Sequence, residues 1–243
     1  MVSSNVVGYE KINLVKGYTQ IGIQFQTVGA ADGTIPLNSL SFSGLTGYDW
    51  DAFTMGDTLT IWDAESQAYA TTYAWSGEGS EDYDVPANVW FDDSELAEAD
   101  VDLPVGSSVF IKSASATPPQ AVAAGEVLSD ATSSISLSKG FTQFANPYPT
   151  AIKINDIAFT GLIGYDWDAF TMGDTLTIWD AESQAYATTY AWSGEGSEDY
   201  DVPANVWFDD SELAEADVTI PVGGTVFIKS ASGGTATFTN PIK

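Results

Sequence analysis

The 243-residue chain carries 34 acidic and 7 basic residues, with no histidine or cysteine and a formal net charge of −27. The missing cysteine excludes disulfides and thiolate metal sites and is compatible with either the cytosol or the exterior. The charge works against nucleic acid and anionic membrane surfaces, both of which need cationic partners.

Met1 runs straight into the polar VSSN, so no signal peptide is expected in this chain, and a secreted protein would be present in its mature form. No apolar run approaches the roughly 20 residues of a spanning helix, so no membrane insertion is expected. SNVVGYEKI, beginning at Ser4, is strand-like, and so are residues 18–25, 58–62, 89–91 and 108–112. In AYATTYAW, starting at Ala68, period-2 alternation puts Tyr69, Thr71, Tyr73 and Trp75 on one face. With Leu59 and Ile61 they form the expected core face, except for Thr71. Gly, Asn, Asp and Pro clusters at 29–33, 55–57, 77–80 and 104–106 separate the strands. Only DSELAEAD, residues 93–100, reads as helical, with Asp93 or Ser94 as its cap. After the stiff Pro118-Pro119 spacer, QAVAAGEVL reads as a strand that ends the first half, opens the second, or does both.

The second half repeats the first. Residues 47–101 recur letter for letter as 164–218, at an offset of 117. Upstream, VKGYTQ at Val15 answers SKGFTQ at Ser138 at an offset of 123, so the first copy holds six extra residues near Thr27 to Thr34. The equivalent core face is Leu176, Ile178, Tyr186, Tyr190 and Trp192. A repeat of this length is a domain with its own core, too long for a solenoid unit. The expected fold is all-β: two tandem antiparallel β-sandwich or barrel-like domains from an internal duplication, residues 1–120 and 121–243. The boundary is expected between Thr117 and Ala124.

The phrases LSKGFTQFANPYP, GDTLTIWDAESQAYATTYAW and LPVGSSVFIKSAS resemble secreted tandem β-repeat surface proteins of environmental Gram-negative bacteria. The resemblance covers nearly all of both halves. It implies an all-β extracellular module and brings no catalytic residues with it. GYTQIGIQFQ at Gly17 departs from the pattern, because it lacks the Asn-Pro found at Asn146-Pro147.

Without histidine and cysteine, the usual general bases and thiol nucleophiles are missing, and no enzyme is expected. The repeated segment supplies 28 of the 34 acids and all 8 tryptophans, so any site of interest lies there. Its alternating carboxylates could offer hard oxygen ligands to Ca²⁺ or another hard cation. The candidate ligands are Asp82, Asp84, Asp92, Asp93 and Glu95, with Asp199, Asp201, Asp209, Asp210 and Glu212 in the second copy. They require the 81–84 loop to meet the 92–95 turn. The competing explanation is a solvated acidic face with Asp at turns. Trp50 and Tyr83, with Trp167 and Tyr200, sit between aspartates in loops and are the candidate exposed rings for a polysaccharide. Strand-interior aromatics are expected to pack the core instead.

The expected role is a non-enzymatic extracellular structural protein that assembles end to end into a filament or surface layer, stabilised by calcium if the acidic loops bind it. The alternative is a carbohydrate-binding or adhesion module. Assembly would pair the strand from Val6 to Ile12 of one copy with that from Thr235 to Ile242 of the next, through unblocked strand edges. Lys11, Lys16 and Lys243 lower the charge penalty at those ends.

Overall fold

The computed structural model describes residues 6–30, 32–180 and 182–242; Lys243, one of the lysines of the expected end-to-end contact, lies outside them. Regular structure among the described residues is β-strand apart from two single-turn 3-10 helices, Leu37–Ser39 and Ile154–Asp156. The all-β expectation holds.

Each half contains the same pair of sheets. In the first, a six-stranded antiparallel sheet runs in the order Gly17–Gly22, Ser108–Ser113, Thr58–Asp63, Ala68–Trp75, Trp90–Asp92, Ala97–Glu98. A three-stranded sheet, Val7–Asn13, Gln120–Glu126, Ser41–Ser43, covers one face of it. Phe42 of the small sheet sets its ring 5.7 Å from Trp75 and 5.3 Å from Trp90 of the large one. In the second half Phe159 meets Trp192 at 5.8 Å and Trp207 at 5.3 Å. These apolar contacts drive the two layers together, because fully burying a large side chain contributes about 1.5–3 kcal/mol. Leu59, Trp90, Val109 and Ile111 form the buried inner face of the first sandwich.

Three expectations are corrected. The boundary lies later in the chain. Gln120–Glu126 pairs with Val7–Asn13 along its whole length and with Ser41–Ser43 on its other edge, so it completes the first unit. The second unit opens at Thr132–Leu137, which pairs with Gly234–Thr239. Secondly, residues 93–100 form no helix. Phe91 faces Glu98 and Asp92 faces Ala97, which makes a hairpin. The Asp92 carboxylate accepts from the backbone N–H of Ser94 at 2.9 Å, an Asx turn, and Leu96 takes the left-handed conformation with φ 52°.

Thirdly, Tyr69 and Tyr186 leave the core. A bulge shifts the register between Ile61 and Trp62, so Ile61 faces Thr71 while Trp62 faces Tyr69. One extra residue moves Tyr69 to the face opposite Tyr73. The same bulge sits between Ile178 and Trp179. Leu59 and Trp75 are buried as expected, and Ile61 and Tyr73 pack partly buried against them.

The displaced rings meet across a seam between the units, and that seam has two-fold character. Gly22 N–H donates to Gly223 O at 2.9 Å, and Ala145 N–H donates to Gly106 O at 2.7 Å. Each pair is the other with the units exchanged. Gln67 accepts from Phe141 N–H at 2.5 Å and donates to Phe141 O at 3.0 Å; Gln184 does the same with Tyr18, at 2.5 and 3.0 Å. Gln67 and Gln184 both take φ 55°, the uncommon left-handed conformation, in the turns that present these clasps.

The first and last described residues converge. Val127 N–H donates to Val6 O at 2.8 Å, and Asn240 N–H to Ala131 O at 2.9 Å. Val6, Leu128, Asp130 and Ile242 line one shallow depression of about 300 Å³. Gly234–Thr239 lies between Thr132–Leu137 and Ala158–Thr160, so both its edges are taken inside its own unit. The expected contact from Thr235 to Ile242 with Val6 to Ile12 of another copy therefore lacks a free strand edge on one side.

Candidate functional site

Two acidic loops and a glycine pair build the same cleft in each unit. In the first loop the Asp49 carboxylate accepts from Asp51 N–H at 3.1 Å and Ala52 N–H at 2.9 Å. Backbone bonds between Asp49 and Thr54, at 2.9 and 3.2 Å, close the tip. This geometry forces Phe53 to φ 52° with its ring 53% exposed. The left-handed region costs a non-glycine residue about 1–2 kcal/mol. Phe170 repeats both features, at φ 52° and 54% exposed. The second loop closes through Ser80 and Val85, at 2.9 and 3.0 Å, and carries Tyr83 at its tip.

Trp50 ties the loops to the fold. Its indole N–H donates to Ser76 O at 3.3 Å, and its ring stacks on buried Phe91 at 5.2 Å and on Tyr83 at 6.0 Å. Phe53 meets Tyr83 edge-on at 5.7 Å. The result is a run of rings from the core to the surface: Phe91, Trp50, Tyr83, Phe53. Tyr83 is 39% exposed, so the outer end of the run is open to solvent. In the second unit Trp167 stacks on Phe208 at 5.2 Å and on Tyr200 at 6.0 Å.

Beside the rings lies a cleft of about 650 Å³ bounded by Asp49, Trp50, Trp75, Glu78 and Asn88. Its counterpart of about 660 Å³ is bounded by Asp166, Trp167, Trp192, Glu195 and Asn205. The wall is thin because two glycines touch: a Cβ on Gly77 would lie 2.8 Å from the Gly47 Cα. Together these groups offer flat apolar faces next to carboxylate and amide acceptors and donors, the surface that a sugar ring takes by stacking and hydrogen bonding.

The metal ligands anticipated from sequence do not converge. Among the described residues no three acidic side chains group for a metal ion. Neither the set Asp82, Asp84, Asp92, Asp93 and Glu95 nor the set Asp199, Asp201, Asp209, Asp210 and Glu212 forms such a group among the described residues. Asp92 is engaged in its own turn, where Ser94 donates from its hydroxyl at 2.6 Å and its N–H at 2.9 Å. These bonds hold its carboxyl below the usual range, the hydroxyl most of all, and Asp209 with Ser211 behaves alike. Asp82, Asp84 and Glu95 are exposed on loop tips. Asp93 lies near Tyr48, whose phenol is pushed up first by burial and then by that charge.

Two polar residues that sequence reasoning missed organise each unit. Asp57 is fully buried and accepts from Ser113 Oγ at 2.8 Å, Ala114 N–H at 2.9 Å and Thr46 N–H at 3.1 Å. It fastens the cleft loop to the end of Ser108–Ser113, and Asp174 does so in the second unit. Asn38 accepts from Trp90 N–H at 2.8 Å and donates to Trp90 O at 3.1 Å. The signal available in the sequence was the repeated Gly-Asp-Thr-Leu, in which a lone Asp precedes a strand.

Among the described residues no helix is long and apolar enough to cross a membrane. No known protein family, curated protein or solved structure matches the chain, so the resemblance to secreted β-repeat proteins rests on the quoted motifs alone.

Proposed function

We propose that the chain is a non-enzymatic, two-site glycan-binding module acting outside the cell, where polymeric glycans occur. The observation that carries this reading is the presentation of Phe53 and Phe170. Each is an exposed aromatic held in a costly backbone conformation beside an open Trp–Tyr stack. Strain of that kind persists where surrounding structure enforces it, and it clusters at ligand sites. The neighbouring carboxylates and the net charge of −27 favour neutral over acidic sugars. Two identical clefts on one chain raise avidity for a repeating polymer. The lack of histidine and cysteine supports binding without turnover.

The test is a titration of the full chain with neutral polysaccharides (a β-glucan, a xylan and a mannan), followed by tryptophan fluorescence. A saturable change with two sites per chain, lost in Trp50→Ala combined with Trp167→Ala, is expected. No saturable change with any of the three ends the reading.

A further inference from the structure

The seam between the units contains a second, different cavity. About 390 Å³ of open space is bounded by Tyr18, Thr60, Tyr69, Phe110, Trp179 and Tyr186. Five of these six residues are aromatic. Phe110 is the buried floor, 6% exposed, while Tyr18, Tyr69 and Tyr186 remain 41%, 38% and 36% exposed as walls. The rings stand nearly perpendicular to one another. Trp179 meets Phe110 at 5.1 Å and 89°, Tyr18 meets Phe110 at 6.0 Å and 90°, and Tyr69 meets it at 5.6 Å and 77°. Among the described residues no charged side chain lines the space.

We propose that this cage binds a quaternary ammonium group, such as the trimethylammonium head of choline. Five aromatic rings bound this one space, and aromatic faces carry the negative quadrupole by which a desolvated organic cation without N–H donors is held. The cage has no carboxylate to form an ion pair, which disfavours a primary ammonium that must replace its water hydrogen bonds. A chain of charge −27 draws cations towards it. Lys112 Nζ lies 5.7 Å from the centre of the Tyr18 ring, so this ring does face a cation, and the same charge opposes a cationic guest on that side of the cage. The related position across the two-fold is filled by rings, with Phe141 stacked on Phe227 at 5.2 Å and Tyr186 stacked on Phe227 at 5.5 Å. One such site per chain follows, against two glycan clefts.

The experiment is calorimetric titration of the full chain with choline, tetramethylammonium and 3,3-dimethyl-1-butanol, the uncharged isostere of choline. Both cations are expected to saturate one site per chain, with the alcohol at least tenfold weaker. Tyr18→Ala removes one exposed wall and is expected to weaken choline at least fivefold with an unchanged circular dichroism spectrum. Phe141→Ala, the counterpart in the filled half, is expected to leave choline affinity within twofold. Absence of saturable heat with choline overturns the proposal. So does equal binding of the alcohol, which would mark an apolar hole, or a Tyr18→Ala protein that binds choline as before. None of these outcomes bears on polysaccharide binding, which is read at other residues.

Discussion

The half of the seam built on Trp62 and the half built on Trp179 use the same repeated segment and end differently. Trp62 donates its indole N–H to Phe141 O at 3.1 Å and packs on Phe227 at 4.9 Å. The Trp179 indole N–H is buried without a hydrogen-bond partner among the described residues, and its side of the seam stays open. Gln20 donates to Tyr186 Oη at 3.1 Å and accepts from Thr225. Its counterpart Gln143 is buried with no side-chain partner among the described residues, as is Ser108 Oγ, counterpart of the Thr225 hydroxyl. The two clefts, by contrast, agree to within 0.1 Å in the ring distances given above. The difference follows from what surrounds each feature. Every ring of the run from Phe91 through Trp50 and Tyr83 to Phe53 comes from the identical segment, whereas positions 18/141 and 108/225 lie outside it and differ between copies. Sequence identity therefore fixes the clefts and leaves the seam free to diverge.

The largest effect expected is at the buried aspartates. Asp57→Ala and Asp174→Ala each strand three donors, and each should destabilise its unit by about 3 kcal/mol. Guanidinium melts that give equal losses confirm that the units are equivalent at their cores; a twofold inequality would mean that the flanks reach further inward than the clefts suggest.

Gln20→Leu and Gln143→Leu should move stability in opposite directions. The first breaks two side-chain hydrogen bonds and costs about 1–2 kcal/mol, while the second removes a buried group without partners and gains about 1 kcal/mol. Equal signs in thermal melts would refute the asymmetry of the seam.

Phe53→Gly relieves the left-handed strain and forfeits one edge-on ring contact, so stability should stay within about 1 kcal/mol of the parent. Glycan stoichiometry should fall from two sites to one, and Phe170→Gly should do the same.

The smallest effect concerns acid. The Asp92 and Asp209 carboxyls titrate lower in the folded protein than in the unfolded chain. Their contribution is present above the unfolded value of about 3.9 and is lost as pH falls through the folded one. General protonation of a −27 chain also changes its self-repulsion, so the informative quantity is a difference. The parent should melt higher than Ser94→Ala combined with Ser211→Ala at pH 6, and the gap should close as pH drops below about 3.9. A gap independent of pH would assign the serines a purely structural role.

Much of the architecture was readable beforehand. Alternation located the strands, and the repeat located the two units. What escaped were features decided by one residue or by distant partners. The bulge beside Trp62 reverses Tyr69 without disturbing the alternation of letters. DSELAEAD carries helix formers, yet Asp92 and a left-handed Leu96 turn it into a hairpin, tertiary context overriding a weak propensity. At the site, Trp50 and Tyr83 were identified by lying between aspartates in loops, and they do form one stack. Phe53 was missed, because nothing local announces φ 52° for a phenylalanine. For the acidic residues, carboxylate spacing shows how many oxygens are near in sequence and does not show which are engaged by their own turns.

The meeting of Val6, the 128–130 connection and Ile242 has a mechanical consequence. Val7 faces Glu126 at the same end as the connection, and Thr132 faces Thr239 at the same end as the other terminus. Tension applied between the two termini would load both strand pairs at their first rung and peel them one hydrogen bond at a time, since antiparallel bonds run across the strands. Pulled at Val6 and Ile242, the fold would yield at low force.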